Sequence, residues 1–570
     1  IEGGFFRRGY LSADGTEVIS LRYDFQDRTY TGPDLGTIHR IQIELVLAND
    51  YLVEMASDLQ NNFRGKVVFI PVARASGNVK DASNQRVLAI DYGLPTANQI
   101  AGFTFEFTDL DGMDAYFEFN RNNQYRQYPN PGVQRNHIGE SVAEAWMLNL
   151  SKYTYPYFAF IEVFKTEPNY QTGLHVVDQN GIVDYGSNFR LFEFVDDNDD
   201  QDRFPDWERS GFTSGDKQVF PGWDENNDFI SDFNQNDTPG SPNRIPDYEE
   251  PFLRFHVERP EYQYGIDMNH NGTIDRFEND EYADLPYSRD RAGYNFYLGR
   301  FLLPDLRLTF GRHRIDQLSS DSRSLANYAI LTSEYNRGKT RLRFFQDIRK
   351  VRDNIKDDLL QWRQLPNSRG ELLPVVDRLP ARDTLINTTW LALDFIPRSA
   401  FFVKNSIKWS WYHQYAEKVK IVLREQRKEG YFFGMVNKAE ARFQLRKLAL
   451  IPAWKSEFQR RAPIDVREAP IREHSQLFLL MARLPVFVSS YVESGVEHHR
   501  FSQLREPTPP GREDSFYETT IVGQLTNISD YQGYRLTTAL GFDFTKRHFE
   551  LEGTRTRTRG FLTVFAGVER

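Results

Sequence analysis

The chain of 570 residues has no cysteine. Disulfide staples, thiol nucleophiles and covalent haem attachment are therefore excluded. Long apolar runs are lacking too: mean hydropathy is −0.60, and no stretch approaches the roughly 18 apolar residues that a membrane-crossing helix needs. There is no GxSxG elbow, GxxxxGK[ST] phosphate loop, GxGxxG after a strand or HExxH helix, so an enzyme is not expected. His498-His499 is the one adjacent histidine pair. Neighbours on a strand point to opposite faces, so both rings cannot hold one metal without a bulge. No nucleic-acid partner is expected.

What is abundant is aromatic side chain and locally concentrated acid. Phe and Tyr number 45 and 29, and aromatics make up 14% of the chain. Between Asp196 and Asp284 there are 24 Asp and Glu against 7 Lys and Arg, a local charge of −17 in a chain whose total is −10. Carboxylates packed so densely repel one another unless a cation neutralises them. The last run has the spacing of a twelve-residue calcium loop, with oxygen ligands at positions 1, 3, 5, 9 and 12 and Gly at 6. Asp267, Asn269, Asn271, Gly272, Thr273, Asp275 and Glu278 fill positions 1, 3, 5, 6, 7, 9 and 12, with Ile274 at 8. This loop resembles an EF-hand loop, which implies bound Ca2+.

Earlier runs keep part of the spacing. Asp224, Asn226, Asp228 and Asp232 occupy 1, 3, 5 and 9, with Phe229 where Gly belongs. Asp232, Asn234 and Asn236 begin another set, and Asp196, Asn198, Asp200 and Asp202 a further one. With no flanking amphipathic helices, these runs resemble the tandem calcium repeats of thrombospondin type 3. The alternative is a solvated acidic loop.

From Ala101 onward the chain alternates strictly. Phe103, Phe105 and Phe107 share one face, and Leu342, Phe344 and Ile348 face away from Arg341, Arg343, Asp347 and Arg349. Ala439 and Ala441 face away from Lys438, Glu440 and Arg442, and Leu540, Phe542 and Phe544 away from Asp543 and Thr545. Period two over such lengths predicts strands long enough to cross a bilayer, which takes about 9 to 11 tilted residues. Trp409, Trp411, Tyr153 to Phe158 and Tyr294 to Tyr297 are placed where interfacial aromatic girdles belong.

Short joins at 109–113, 151–155, 303–305, 336–339, 396–399, 449–452, 484–486 and 529–533 alternate with long ones near 126–142, 169–290, 318–323, 354–387, 416–429, 463–473, 504–514 and 547–556. Residues 101–170 and 291–570 thus resemble Gram-negative outer-membrane β-barrels, whose periplasmic turns are short and extracellular loops long. The resemblance implies an all-β antiparallel transmembrane barrel of about 16–18 strands in contact with outer-membrane lipid. Some 17 strands are expected from Ala101 to the end, so an even barrel calls for one more before it. Such barrels usually end on an aromatic residue, whereas this chain ends Val564-Phe-Ala-Gly-Val-Glu-Arg570. No signal peptide stands at Ile1, which reads as a mature or truncated start.

Four domains follow: 1–100 as a small β-sandwich, 101–168 as barrel hairpins, 169–290 as an acidic extracellular insertion, and 291–570 as the rest of the barrel. Within the first, Pro33-Asp-Leu-Gly36, Ile41 to Leu47 and Tyr51 to Met55 resemble discoidin-type carbohydrate-binding modules, with a ligand-free sandwich as the alternative. Lumen-facing Arg341, Arg343, Arg349, Arg442, Arg446, Arg535 and the ladder Thr554-Arg-Thr-Arg-Thr-Arg559 either attract anions or pair with Asp347, Glu440 and Asp543 to keep a filled barrel stable. Two functions compete. One is a porin-like channel for small solutes with a calcium-stabilised extracellular domain. The other is a surface scaffold whose module binds an extracellular protein, glycan or appendage. An open lumen favours the first, a plugged one the second.

Overall fold

The computed structural model describes residues 1–185, 248, 251–274 and 289–567, apart from loop breaks of at most ten residues. Its dominant feature is a closed ring of antiparallel strands running from Leu94–Phe107 to Gly553–Gly567. Eighteen segments make up the ring. Glu429–Ala441 and Phe443–Leu445 both pair with Leu448–Ala462 and are separated only by Arg442, so they form one interrupted strand. Among the described residues the wall therefore has seventeen passes.

An odd number has a geometric consequence. Each hairpin reverses direction, so the first and last strands run the same way. They are neighbours in the ring, and the closing seam is therefore parallel. The ring closes without the extra strand expected ahead of Ala101, because Leu94–Phe107 itself starts the wall. Bacterial barrels are ordinarily even, but an odd barrel with one parallel contact is a workable closure.

Alternation explains why these residues form a wall. In Glu429–Ala441 every even position from Gly430 to Glu440 is buried and every odd one is not. The opposite face carries a belt of exposed apolar side chains around the ring, including Phe103, Leu298, Phe310, Phe478, Leu540 and Leu562, each more than half exposed. Strands of 10–17 residues are well beyond the usual five or six of a soluble sheet. Tyr153 and Tyr155 pack on Phe301 with ring centroids 6.2 and 6.0 Å away, beside the turn after Thr154.

Most turns fall where the short joins are expected, with two exceptions. Strand Leu448–Ala462 runs through 449–452, and the turn lies at Arg446–Lys447, where Arg446 has φ 56°. Arg446 is therefore a turn residue rather than a member of a lumen row. Strand Ile471–Phe487 likewise runs through 484–486 and turns after Phe487.

The chain divides into two compact units. One holds most of the barrel wall and comprises 102–120, 144–170 and 190–570. The other comprises Ile1–Ala101, 121–143 and 171–189. In the second unit Gln42–Leu47 pairs with Arg86–Asp91 and Leu52–Met55 with Ile70–Arg74, as separate two-stranded sheets. Asp34 caps the short 3-10 turn Leu35–Thr37 by accepting the Gly36 N–H at 3.0 Å. The Asn130 amide then donates to the Leu35 and Ile38 carbonyls at 3.0 and 2.8 Å. Arg40 and His137 both reach Asp91, at 2.6 and 3.2 Å.

Candidate functional site

The barrel's inward face is occupied by part of the acidic insertion. Residues Phe252 to His270 pack against side chains of nine strands, from Leu306–Gln317 to Phe516–Tyr531. A single short segment can touch so many strands on one face only from the concave side. The sequence places the insertion outside the barrel, whereas this described part of it lies inside, against the inner wall.

Three kinds of contact hold it. The first is ionic: Arg254 lies 2.9 Å from Glu497 and 2.5 Å from Glu518, with every partner at least 94% buried. Its guanidinium also meets His499, whose other ring nitrogen contacts Ser475 at 2.8 Å. Arg547 braces Glu518 from behind at 2.6 Å. Further along, Glu258 pairs with Lys438, and Lys404 stands 3.8 Å away.

The second kind is apolar. Phe255 sits among Ala453, Leu477 and Leu479, Tyr262 against Phe432 and Val436, and Tyr264 stacks on Trp390 at 4.0 Å. Glycines in the wall make room for these rings. A Cβ at Gly434 would lie 2.8 Å from Tyr262, and one at Gly495 would lie 2.6 Å from Phe252. A larger residue at either position would force these rings, and the nearer Phe432 or Met481, to shift.

The third kind runs from wall cations to the segment's own main chain. Lys455 donates to the Arg254 carbonyl at 2.5 Å, Lys438 to that of His256 at 3.0 Å, Lys408 to that of Gln263, and Arg349 to that of Asp267 at 3.0 Å.

The lumen arginines can now be placed. Asp347, Glu440 and Asp543 each carry one: Arg349 at 2.6 Å, Arg442 at 2.8 Å and Arg559 at 2.7 Å. Arg343 meets Asp394 at 3.1 Å and Arg341 meets Glu334 at 2.7 Å. This is the pattern of a filled barrel rather than of a free cationic ring. In the 554–559 ladder, Arg555, Arg557 and Arg559 are the inward members, opposite Arg547, Thr545 and Asp543. His498 and His499 point to opposite faces, as the alternation requires: His498 meets Thr519 at 3.0 Å on the outer side.

Of the predicted calcium ligands, Asp267 is described, and it lies at the end of the lumen segment. Asn269, Asn271, Thr273, Asp275 and Glu278 lie outside the described residues, as do the sets beginning at Asp196, Asp224 and Asp232. Position 4 of the loop is His270, only 2% exposed, with its Nδ1 3.4 Å from Asp353 and its ring 6.4 Å from that of His313. Burial first, and then the charge of Arg349, hold the His270 imidazole down to about 3.

A pH dependence follows. A released His270 titrates near 6.5, so protonation favours release. The segment's hold is complete from about one unit above pH 6.5, weakens through 6.5, and then falls by about tenfold per unit towards 3. The groups facing the ring are Asp353, His313 and Arg349. Protease access to 251–274 should rise about fifteenfold between pH 6.5 and 5, and His270→Gln should flatten that rise. An unchanged rise in the variant would show that another group governs it.

Fold and site together define a long-stranded antiparallel barrel with a segment of one of its own insertions packed against its inner wall. No family model and no curated protein matches the chain. Solved structures do. One is a chain of the RagAB peptide importer in its closed-closed state, with TM-score 0.27 and 8% identity over 79% of this chain. This chain spans 50% of that one. Another is the outer membrane protein OpdK of Pseudomonas aeruginosa, at TM-score 0.23 and 10% identity over 92% of this chain and 98% of that one. A third is the ferric-catecholate import receptor Fiu of Escherichia coli K12, at TM-score 0.24 and 6% identity over 91% and 84%.

Proposed function

We propose that the chain is a bacterial outer-membrane barrel that serves as a porin-like conduit for small solutes, held closed by the segment Phe252–His270. The membrane reading is supported by the exposed apolar belt, which water would not tolerate around a whole ring of strands. The conduit reading is supported above all by how the lumen is filled. A ring of about 16–18 strands leaves an aqueous channel unless something occupies it. Here the occupant is a tethered loop rather than the wall's own side chains.

A surface scaffold remains the second reading, because a filled lumen is also what an anchor needs. Planar-bilayer recording separates the two. The conduit must pass current once the segment is gone, whereas the scaffold passes none in any form.

Calcium belongs to the same proposal. Asp267, Asn269, Asn271, Thr273, Asp275 and Glu278 are the surest ligand set, and millimolar calcium outside the cell would load even weak sites. Chelation is expected to expose 190–290 to protease while the barrel keeps its heat-modifiable gel migration. Unchanged protease sensitivity, with no calcium found by elemental analysis, would overturn the ligand assignment.

A further inference from the structure

We infer that the inward wall between Phe345 and Glu518 is a binding site for a polypeptide segment with a basic residue next to an aromatic one, and that Phe252–Asp267 occupies this site in cis. The inference rests on the reading that the segment can leave the lumen.

It starts from what the wall touches. Cations on four separate strands, Lys455, Lys438, Lys408 and Arg349, donate to carbonyl oxygens of the segment's main chain. At the segment's start the polarity reverses, and the Phe252 N–H donates to Glu497. Contacts to a main chain carry no information about sequence. Any polypeptide that follows the same turned path, with its 3-10 turn at Pro260–Tyr262, offers the same carbonyls and amides. The segment closes the Arg259 carbonyl on its own turn, accepting the Tyr262 N–H at 3.1 Å, whereas these four carbonyls are met by the wall.

The side-chain pockets then define a class. Glu497 and Glu518 form a carboxylate pair around one guanidinium. Next along the segment, Ala453, Leu477 and Leu479 enclose one ring. Phe345 and Trp390 make an aromatic shelf for Tyr264, nine residues further on. A sugar polymer would satisfy the lysine donors, but it brings no cation for the carboxylate pair. A peptide brings both.

The test uses the full chain with residues 251–267 replaced by a Gly-Ser stretch of equal length, with heat-modifiable migration confirming the barrel. The probe is a fluorescent synthetic peptide of this chain's own 251–267 sequence, read by anisotropy. It should bind the replaced variant at least about tenfold more tightly than the intact protein, in which the site is filled. Adding Lys438→Ala and Lys455→Ala should weaken it at least about tenfold, since hydrogen bonds from charged donors are the strong ones. A peptide with Glu at the Arg254 position should bind correspondingly worse, and a dextran of similar mass should not bind.

Arg254→Glu in the otherwise native chain repeats the test without a replaced segment, because repulsion from Glu497 and Glu518 evicts the plug. Equal binding to intact and replaced protein, or indifference to the two lysines, overturns the inference. Tight peptide binding by a variant that never conducts would refute the conduit while leaving the peptide site. Conductance without peptide binding would do the reverse.

Discussion

Deleting residues 190–288 should turn a silent protein into a conducting one. The deletion removes the whole of Phe252–His270, with its ionic, apolar and main-chain contacts to nine strands. It leaves the wall intact, because Tyr157–Thr166 pairs directly with Arg291–Leu303, starting from Thr166 opposite Arg291. Residues 167–189 suffice to join two strand ends already side by side, and lengthening or shortening such a join changes closure entropy only slowly. Steps of current should appear in the deleted protein and be absent, or rare, in the intact one. A deleted protein that migrates as a folded barrel and still carries no current would make the scaffold reading the better one.

Arg254→Ala should have the largest effect of any single substitution in the segment. Its guanidinium is 6% exposed and stands between two carboxylates exposed by 1% and 4%. Removing one partner of a buried pair costs about 3–5 kcal/mol, because the remaining charge is left without compensation. Glu518 keeps Arg547 at 2.6 Å, so the cost falls mainly on Glu497. The released state should therefore gain by about a hundredfold or more, seen as open probability or as protease access to 251–274. Glu497→Gln added to Arg254→Ala should recover most of the loss. If the double variant is as open as the single one, the ion pair is not what holds the segment.

The barrel was legible because its cause is local. A side chain's face depends on parity alone, so Leu342 and Ile348 against Arg341 and Asp347 fix which side faces out of the ring without knowledge of any other strand. Turns were less exact: Pro452 looked like a join and proved to lie inside a strand, since proline is tolerated in a pairing that does not need its missing N–H.

The plug was not legible. Its contacts join residues 201 and 245 positions apart, such as Arg254 with Lys455 and His499, and the acidic runs around it read as solvated or calcium-bound. One signal was present. Between Phe252 and Tyr264 the acid runs stop and Phe252, Phe255, Tyr262 and Tyr264 appear together with Arg254 and Arg259. An aromatic island of zero net charge, with Arg254 and Arg259 balanced by Glu258 and Glu261, inside an acidic insertion has a reason to be buried. The wall carried a matching sign in Gly434 and Gly495, each at an inward position of a strand where a side chain would ordinarily fill the lumen.

The most direct measurement of whether the segment sits in the lumen exploits the absence of cysteine, which makes any introduced pair the only thiols in the chain. Tyr262→Cys and Val436→Cys place one thiol on the segment and one on the inward wall within a single packed cluster. In the control, Met435→Cys replaces Val436→Cys, moving the wall thiol one residue along the strand and onto the opposite face. Treated in native membranes with a short bifunctional thiol reagent, the first pair should link within one chain in high yield and the control pair should not. No link in the first pair, or equal yields in both, would contradict the account of a plug held against the inner wall.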